Sequence, residues 1–251
     1  MKNIKVKVLS CKETIKEIEE MGCLAARLTQ RGHQIKNIDD LLDLKSIYSD
    51  DEKREKLLSN LIKLPHPTLQ KLGKINIVIV GASRRFLAQI TRHQNEVKFM
   101  SASLQYSDYS GVADFVVPIS IEKMGKEIKE AYLDECKRNA DTYQELIKNG
   151  ISNDDAGYIM PQSLRNVLII SATPYEFKHM IRQRICKRNS EETKFVMLKV
   201  WEALNEASPI LFSDCMPECY KGKCPEGKMS CGKPFKTNDI KGILKEEFGE
   251  I

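Results

Sequence analysis

The chain has 251 residues, 41% of them hydrophobic and 30% charged, a balance that excludes a disordered or fibrous protein. No apolar run reaches the roughly 18–20 residues of a membrane span. The opening MKNIKVKVLSCKET lacks the apolar stretch and cleavage site of a secretory leader, so a cytoplasmic location is expected. Net charge is +5, from 40 basic and 35 acidic residues, which suits an anionic ligand but falls short of a dedicated nucleic-acid binder.

Residues 5–10 read as a short first strand. Over 12–28, Ile15, Ile18, Met21, Leu24 and Ala25 recur at helical spacing. Further helix is expected over 37–63, ended where Pro65 and Pro67 bracket His66. The near-continuous apolar run at 75–80 predicts a strand buried on both faces or in a core layer, closed by Gly81. Ser83 can cap a helix over 84–93. Alternation over 97–106 predicts a strand with Met100, Ala102, Leu104 and Tyr106 on an apolar face and Ser101, Ser103 and Gln105 on a polar one.

A long amphipathic helix is expected over 120–149, with Ile128 and Tyr132 on its core side and Gly150 as a C-terminal stop. The apolar segment after Pro161 fits a strand or a buried helix. Thr173-Pro174-Tyr175-Glu176 is a capping box with proline at the first helical position. A second cap at 189–192 opens a helix to about Ala207.

Three places offer chemistry. Arg85, Gln89 and Arg92, at i, i+4 and i+7, share a polar helix face that leads into Ser101, Ser103 and Gln105. Arginine forks suit phosphate or an imide edge; the plainer alternative is a solvated surface. Arg184 lies on the apolar stripe of Phe177, Met180 and Ile181, so it requires either an internal ion pair or a ligand. His66, between two prolines, is either structural or catalytic. Neither a Gly-rich dinucleotide fingerprint nor a P-loop occurs, and GxSxG and HExxH are absent too. The residues alone define an α/β protein with an anion-binding helix–strand junction.

Eight cysteines are present, four of them in the pattern Cys215-x3-Cys219-x4-Cys224-x6-Cys231. That spacing makes a metal site a candidate, with structural Zn2+ favoured over an iron–sulfur cluster. Cys186 is a possible substitute ligand, and free thiols are the alternative. Lys221, Lys223, Lys228 and Lys233 accompany the thiols, but Tyr220 is the one aromatic among them, which argues against a nucleic-acid stacking platform.

Several motifs recur in a telling order. Gln89, Arg92, His93, Ser103 and Tyr106 match a RHRxxSxNxxSxRY signature preceded by glutamine. ARLT at 26–29 is similar to an AARxS element, and His66 with Thr68 to a GHxS/T element. HMIRQRICKRNSEE is similar to a late helix that carries an essential arginine. In these features residues 1–212 resemble the flavin-dependent thymidylate synthases, with 213–251 left as an irregular Cys-rich tail.

The resemblance implies a central mixed or antiparallel sheet flanked by helices. It also implies reductive methylation of dUMP with FAD, NADPH and methylenetetrahydrofolate, in a homotetramer whose sites combine subunits. Arg184 would be catalytic, set against the uracil imide, while Gln89, Arg92, Ser101, Ser103 and Gln105 would meet the nucleotide. Thr29, His66, Thr68, Arg92, His93, Gln94, His179 and Arg188 would meet the cofactor, with Glu192 close to both ligands.

The chain departs from the family at Gln94, at Gln105 and at Gly157, where arginines are usual, and the Arg92–Tyr106 spacing is one residue longer. Lys98 and Arg165 are the candidate replacements at the phosphate. Two alternatives follow from these departures. One is methylation of UMP or a modified uridylate; the other is a metal-stapled nucleic-acid-binding protein on a degenerate enzyme fold.

Overall fold

The computed structural model describes residue 1, residues 3–220 and residues 222–249; Lys221, one of the basic residues beside the late cysteines, lies outside them. Its centre is one sheet built from β1 (Lys5–Val8), β2 (Ile75–Ser83), β3 (Val97–Ser101) and β4 (Arg165–Ala172). The spatial order is β1-β2-β4-β3 and every pairing is antiparallel. The segment after Pro161 is therefore a strand.

The expectation that β2 is buried on both faces is corrected. Ile75, Ile77 and Ile79 are fully buried, whereas Val80, on the other face, is 44% exposed. The main core forms under one face only, where Ile77, Ile79, Leu168 and Ile170 meet Phe177, Met180 and Ile181. Gly81 does not end β2 either. It sits in a bulge between Val80 and Ala82 at φ +89°, and a Cβ there would lie 3.0 Å from the carbonyl oxygen of Asn3. Both facts require glycine.

β3 stops at Ser101, short of the expected 106, because Ser103 Oγ accepts the amides of Gln105 and Tyr106 and turns the chain. Its faces are the reverse of those expected: Val97 is buried, Phe99 packs on the core, and Met100 is 71% exposed.

On the core side lie α1 (Lys12–Arg31), α4 (Arg84–Ile90), α8 (Pro174–Arg184) and α9 (Glu191–Ala207). The 37–63 region is two helices, α2 (Ile38–Ser46) and α3 (Asp51–Leu61), because Asn37 and Asp50 each provide a cap. The expected long helix is likewise split at Gly125, φ +104°, into α5 (Ile119–Lys123) and α6 (Lys126–Lys148). Ile128 is 46% exposed and not a core residue. Tyr132 donates its hydroxyl to the Val116 carbonyl. Gly150 ends α6 at positive φ, its amide bonded to Ile147 O.

Short α7 (Asn153–Ala156) leads toward β4. Ser83, Thr173 and Ser190 cap α4, α8 and α9 through their side chains.

The late segment is tied down more firmly than an irregular tail. Cys215, Met216, Phe235 and Ile243 belong to the main core, and α10 (Ile240–Phe248) packs on α9. Lys194 Nζ bonds Glu247 across that contact. No helix among the described residues is long and apolar enough to cross a membrane.

Candidate active site

Two segments meet at one end of the sheet. α4 ends at Ile90, which leaves Arg92, His93, Gln94 and Asn95 in the connection to β3. α8 follows β4 directly and carries Glu176, His179, Gln183 and Arg184 at spacings of three, seven and eight residues, one helix face. These eight residues line a cleft of about 530 Å3. A contiguous cleft of about 920 Å3 shares Arg92, His179, Gln183 and Arg184, and adds Tyr175 and Arg188.

Arg184 is the centre of this arrangement. Its Nε donates to His93 Nε2 at 2.9 Å, and its Nη2 donates to the Gln89 carbonyl at 3.0 Å. It has no carboxylate partner among the described residues, so the internal ion pair weighed from sequence is not what holds it. Burial, then the charge of Arg92, pulls its pKa down. The site therefore holds guanidinium charge that only two neutral acceptors satisfy, which favours an anionic or electron-rich ligand.

His93 lies behind that charge. Burial, then Arg184, His179 and Arg92, brings its pKa down to about 4. A ring nitrogen that accepts from a guanidinium carries no proton, so the neutral imidazole has its hydrogen on Nδ1. Nδ1 is 3.5 Å from Glu176 Oε1. This is a contact between a neutral ring and a carboxyl group, not an ion pair. Glu176 is 3% exposed, and burial, reinforced by Glu96 and opposed by Lys71, pushes it up to about 7. The His179 ring stands edge-on to His93, centroids 5.6 Å apart.

The donor atoms of His93, Glu176 and His179 all lie within 4.8 Å of one another. A metal ion does not fit there. The guanidinium groups of Arg92 and Arg184 face the same volume, and their charge repels a cation there.

Arg92, His93, Gln94, His179 and Arg184 thus come together as the sequence implied, with Arg188 on the adjoining wall. Gln89 contributes its carbonyl instead of its side chain. In one chain Ser101, Ser103 and Gln105 do not line either cleft, nor do Thr29, His66 and Thr68. Thr29 Oγ1 donates to Ala26 O, and His66 is exposed. Glu192 Oε1 and Oε2 accept the amide and hydroxyl of Ser83 at 2.7 and 2.6 Å, a lock between α9 and α4.

Arg165 is paired with Asp114 and bonded to Gly81 O, and it lines neither cleft. Lys98 is exposed on the outer sheet face.

Sequence reasoning missed Glu176. Its signal was present as the last residue of the capping box. In that motif the glutamate returns to the cap's amide; here Thr173 Oγ1 accepts the Glu176 amide, while the carboxylate turns to His93.

The fold and the cleft define an α/β protein with a single antiparallel sheet and a cleft lined by arginines and histidines. Residues 12–210 match the profile described as thymidylate synthase complementing protein, and the chain belongs to that family. A flavin-dependent thymidylate synthase of Geobacter sulfurreducens is 27% identical over 207 residues, covering 78% of this chain and 86% of the relative. One from Pyrococcus abyssi is 28% identical over 191 residues, covering 73% and 77%.

Among solved structures, Helicobacter pylori thymidylate synthase X with FAD and dUMP aligns with a TM-score of 0.61 at 16% identity, covering 85% of this chain and 99% of that one. A UMP/dUMP methylase, PolB, from Streptomyces cacaoi bound with 5-Br dUMP aligns at 0.65 and 16%, covering 84% and 93%. At that identity these two likenesses speak for the fold alone.

Proposed function

We propose that this chain methylates dUMP to dTMP reductively in the cytoplasm, with FAD as cofactor, methylenetetrahydrofolate as carbon donor and NADPH as reductant. The observation that carries this reading is Arg184, held by His93 and Gln89 O with no carboxylate among the described residues to neutralise it. Set against the uracil imide, it stabilises negative charge there and activates the ring carbon for attack on the folate-borne methylene. No cysteine or serine nucleophile is required. Arg92, His93, His179 and Arg188 line the clefts where the flavin would be held, and their cationic and ring donors fit its phosphates and heterocycle. Bound there, FAD supplies hydride chemistry, while the protein orients and excludes water.

Assembly as a homotetramer would complete the site, bringing to the cleft residues such as Ser103 and His66 that stand off it in one chain. An exposed apolar strip of Val80, Val167, Ile169 and Met100 across the outer sheet face supports self-association.

Purified protein should be yellow and should release tritium from dUMP labelled at C5. A colourless protein that takes up no FAD would overturn the reading. One observation favours a variant of it: Arg165, a candidate replacement at the phosphate, is paired with Asp114, which leaves phosphate recognition different from the usual pattern. UMP or a modified uridylate is then the substrate, and comparing turnover of dUMP with that of UMP separates the two.

A further inference from the structure

The cysteines have no part in the chemistry above, and the fold regroups them. Cys215, one of the four adjacent in sequence, is fully buried in the main core. Cys186, two residues beyond Arg184, lines the larger cleft together with Cys219 and Cys224. Cys231 lies two residues beyond Met229, whose carbonyl is bonded to Arg188, itself two residues beyond Cys186.

A hydrogen bond holds the late segment to the end of α8. Arg188 Nη1 donates to Met229 O at 2.6 Å, which carries the turn before Cys231 to the end of that helix. None of Cys186, Cys219, Cys224 and Cys231 is in a disulfide, and among the described residues no three of them lie mutually within 4.8 Å.

We propose that Cys186, Cys219, Cys224 and Cys231 bind one Zn2+ as a tetrathiolate, with Cys186 taking the place that sequence spacing gave to Cys215. Zinc–sulfur bonds of about 2.3 Å would draw the sulfurs to about 3.8 Å from one another. Binding forms four Zn–S bonds and passes the thiol protons to solvent, with no change in oxidation state. The resulting net charge of −2 sits beside Arg188 and the lysines at 223, 228 and 233, which offset it. The ion staples the late segment to the end of α8, as a wall of the cleft that also carries Arg184. This inference does not depend on the methylation chemistry.

The test uses the full-length chain, purified without chelator from zinc-supplemented cells. Metal analysis should give about one zinc per chain, and cobalt exchanged into the site should show the intense absorption of tetrahedral thiolate coordination. Cys186→Ser should lose most of the metal, and Cys215→Ser should keep it. Should Cys186→Ser not fold, the cobalt spectrum of the wild-type chain still decides. Three results would overturn the proposal: a metal-free chain with all these thiols open to a thiol reagent, iron with sulfide in place of zinc, or loss of zinc from Cys215→Ser with retention in Cys186→Ser.

Discussion

Arg184 Nε donates to His93 Nε2 at 2.9 Å, so a neutral imidazole holds the Arg184 guanidinium in the cleft. A carboxylate in that place would have fixed the arginine equally well but cancelled its charge. Histidine, with its pKa brought down to about 4 by burial and then by Arg184, His179 and Arg92, fixes the geometry and leaves the charge for a ligand.

The first prediction follows from that bond. Arg184→Lys keeps a positive charge but loses both the Nε donor to His93 and the planar fork that reaches Gln89 O. Loss of a preorganised donor aimed at developing charge costs on the order of 10²–10³ in kcat. Steady-state turnover of dUMP should therefore fall by about that factor, while FAD content and melting temperature stay near wild type. An Arg184→Lys variant with undiminished turnover would remove Arg184 from the chemistry.

A second prediction concerns pH. His93 falls from 6.5 to about 4 in the fold, so the unfolded chain binds the extra proton between those values. Its contribution to stability is fully present above 6.5 and is lost as pH falls toward 4. Glu176 rises from 4.5 to about 7, so the folded chain holds the extra proton. Its contribution is fully present below 4.5 and is lost as pH rises through about 7. The two slopes oppose one another between 4.5 and 6.5 and should give a plateau in melting temperature there. Glu176→Gln removes the second slope, each unit of which is worth up to about 1.4 kcal/mol. The variant should gain on wild type between pH 5 and pH 8. Parallel melting curves for the two proteins across that range would show that Glu176 does not titrate as described.

How far the sequence reaches can be judged from particular residues. Ser83 and Thr173 are readable as caps because an N-cap bond spans three residues and needs no tertiary partner, whereas the cap of α9 falls on Ser190, one residue past the start of the 189–192 pattern. Glu176 belongs to the same local pattern, yet its carboxylate leaves the pattern for His93, 83 positions earlier, and no local rule records that choice. The faces of β3 were misread for a related reason. Alternation tells which residues share a face, but only the core underneath tells which face is inward. The regrouping of Cys186 with Cys219 and Cys224 again depends on where α8 ends in space, not on spacing along the chain.

The third prediction tests the lock between α4 and α9. Glu192 accepts both the amide and the hydroxyl of Ser83, and Ser83 Oγ in turn accepts the Phe86 amide as the cap of α4. Ser83 is buried, so removing the carboxylate strands two of its polar groups. Glu192→Ala should cost about 1–3 kcal/mol by denaturant titration. Ser83→Ala should cost about 1 kcal/mol for the cap. The double variant should lose less than the sum, since both changes break the same bonds. Strict additivity would mean the two residues act independently.

The last prediction addresses assembly. The outer face of the sheet places Val80 opposite Val167 and Met100 opposite Ile169, with Lys5 and Lys7 beyond them on β1. An apolar strip bounded by lysines is what a subunit interface leaves when its partner is removed, because water gains nothing from contact with the branched side chains. Ile169→Lys puts a charge at the centre of that strip without touching the core, where Leu168 and Ile170 face the opposite way. Light scattering should show the wild type as an oligomer and the variant at lower mass, with an unchanged circular dichroism spectrum. If subunits share the site, turnover should fall along with the mass. A wild-type chain that is already monomeric and active would show that the cleft needs nothing from a second copy.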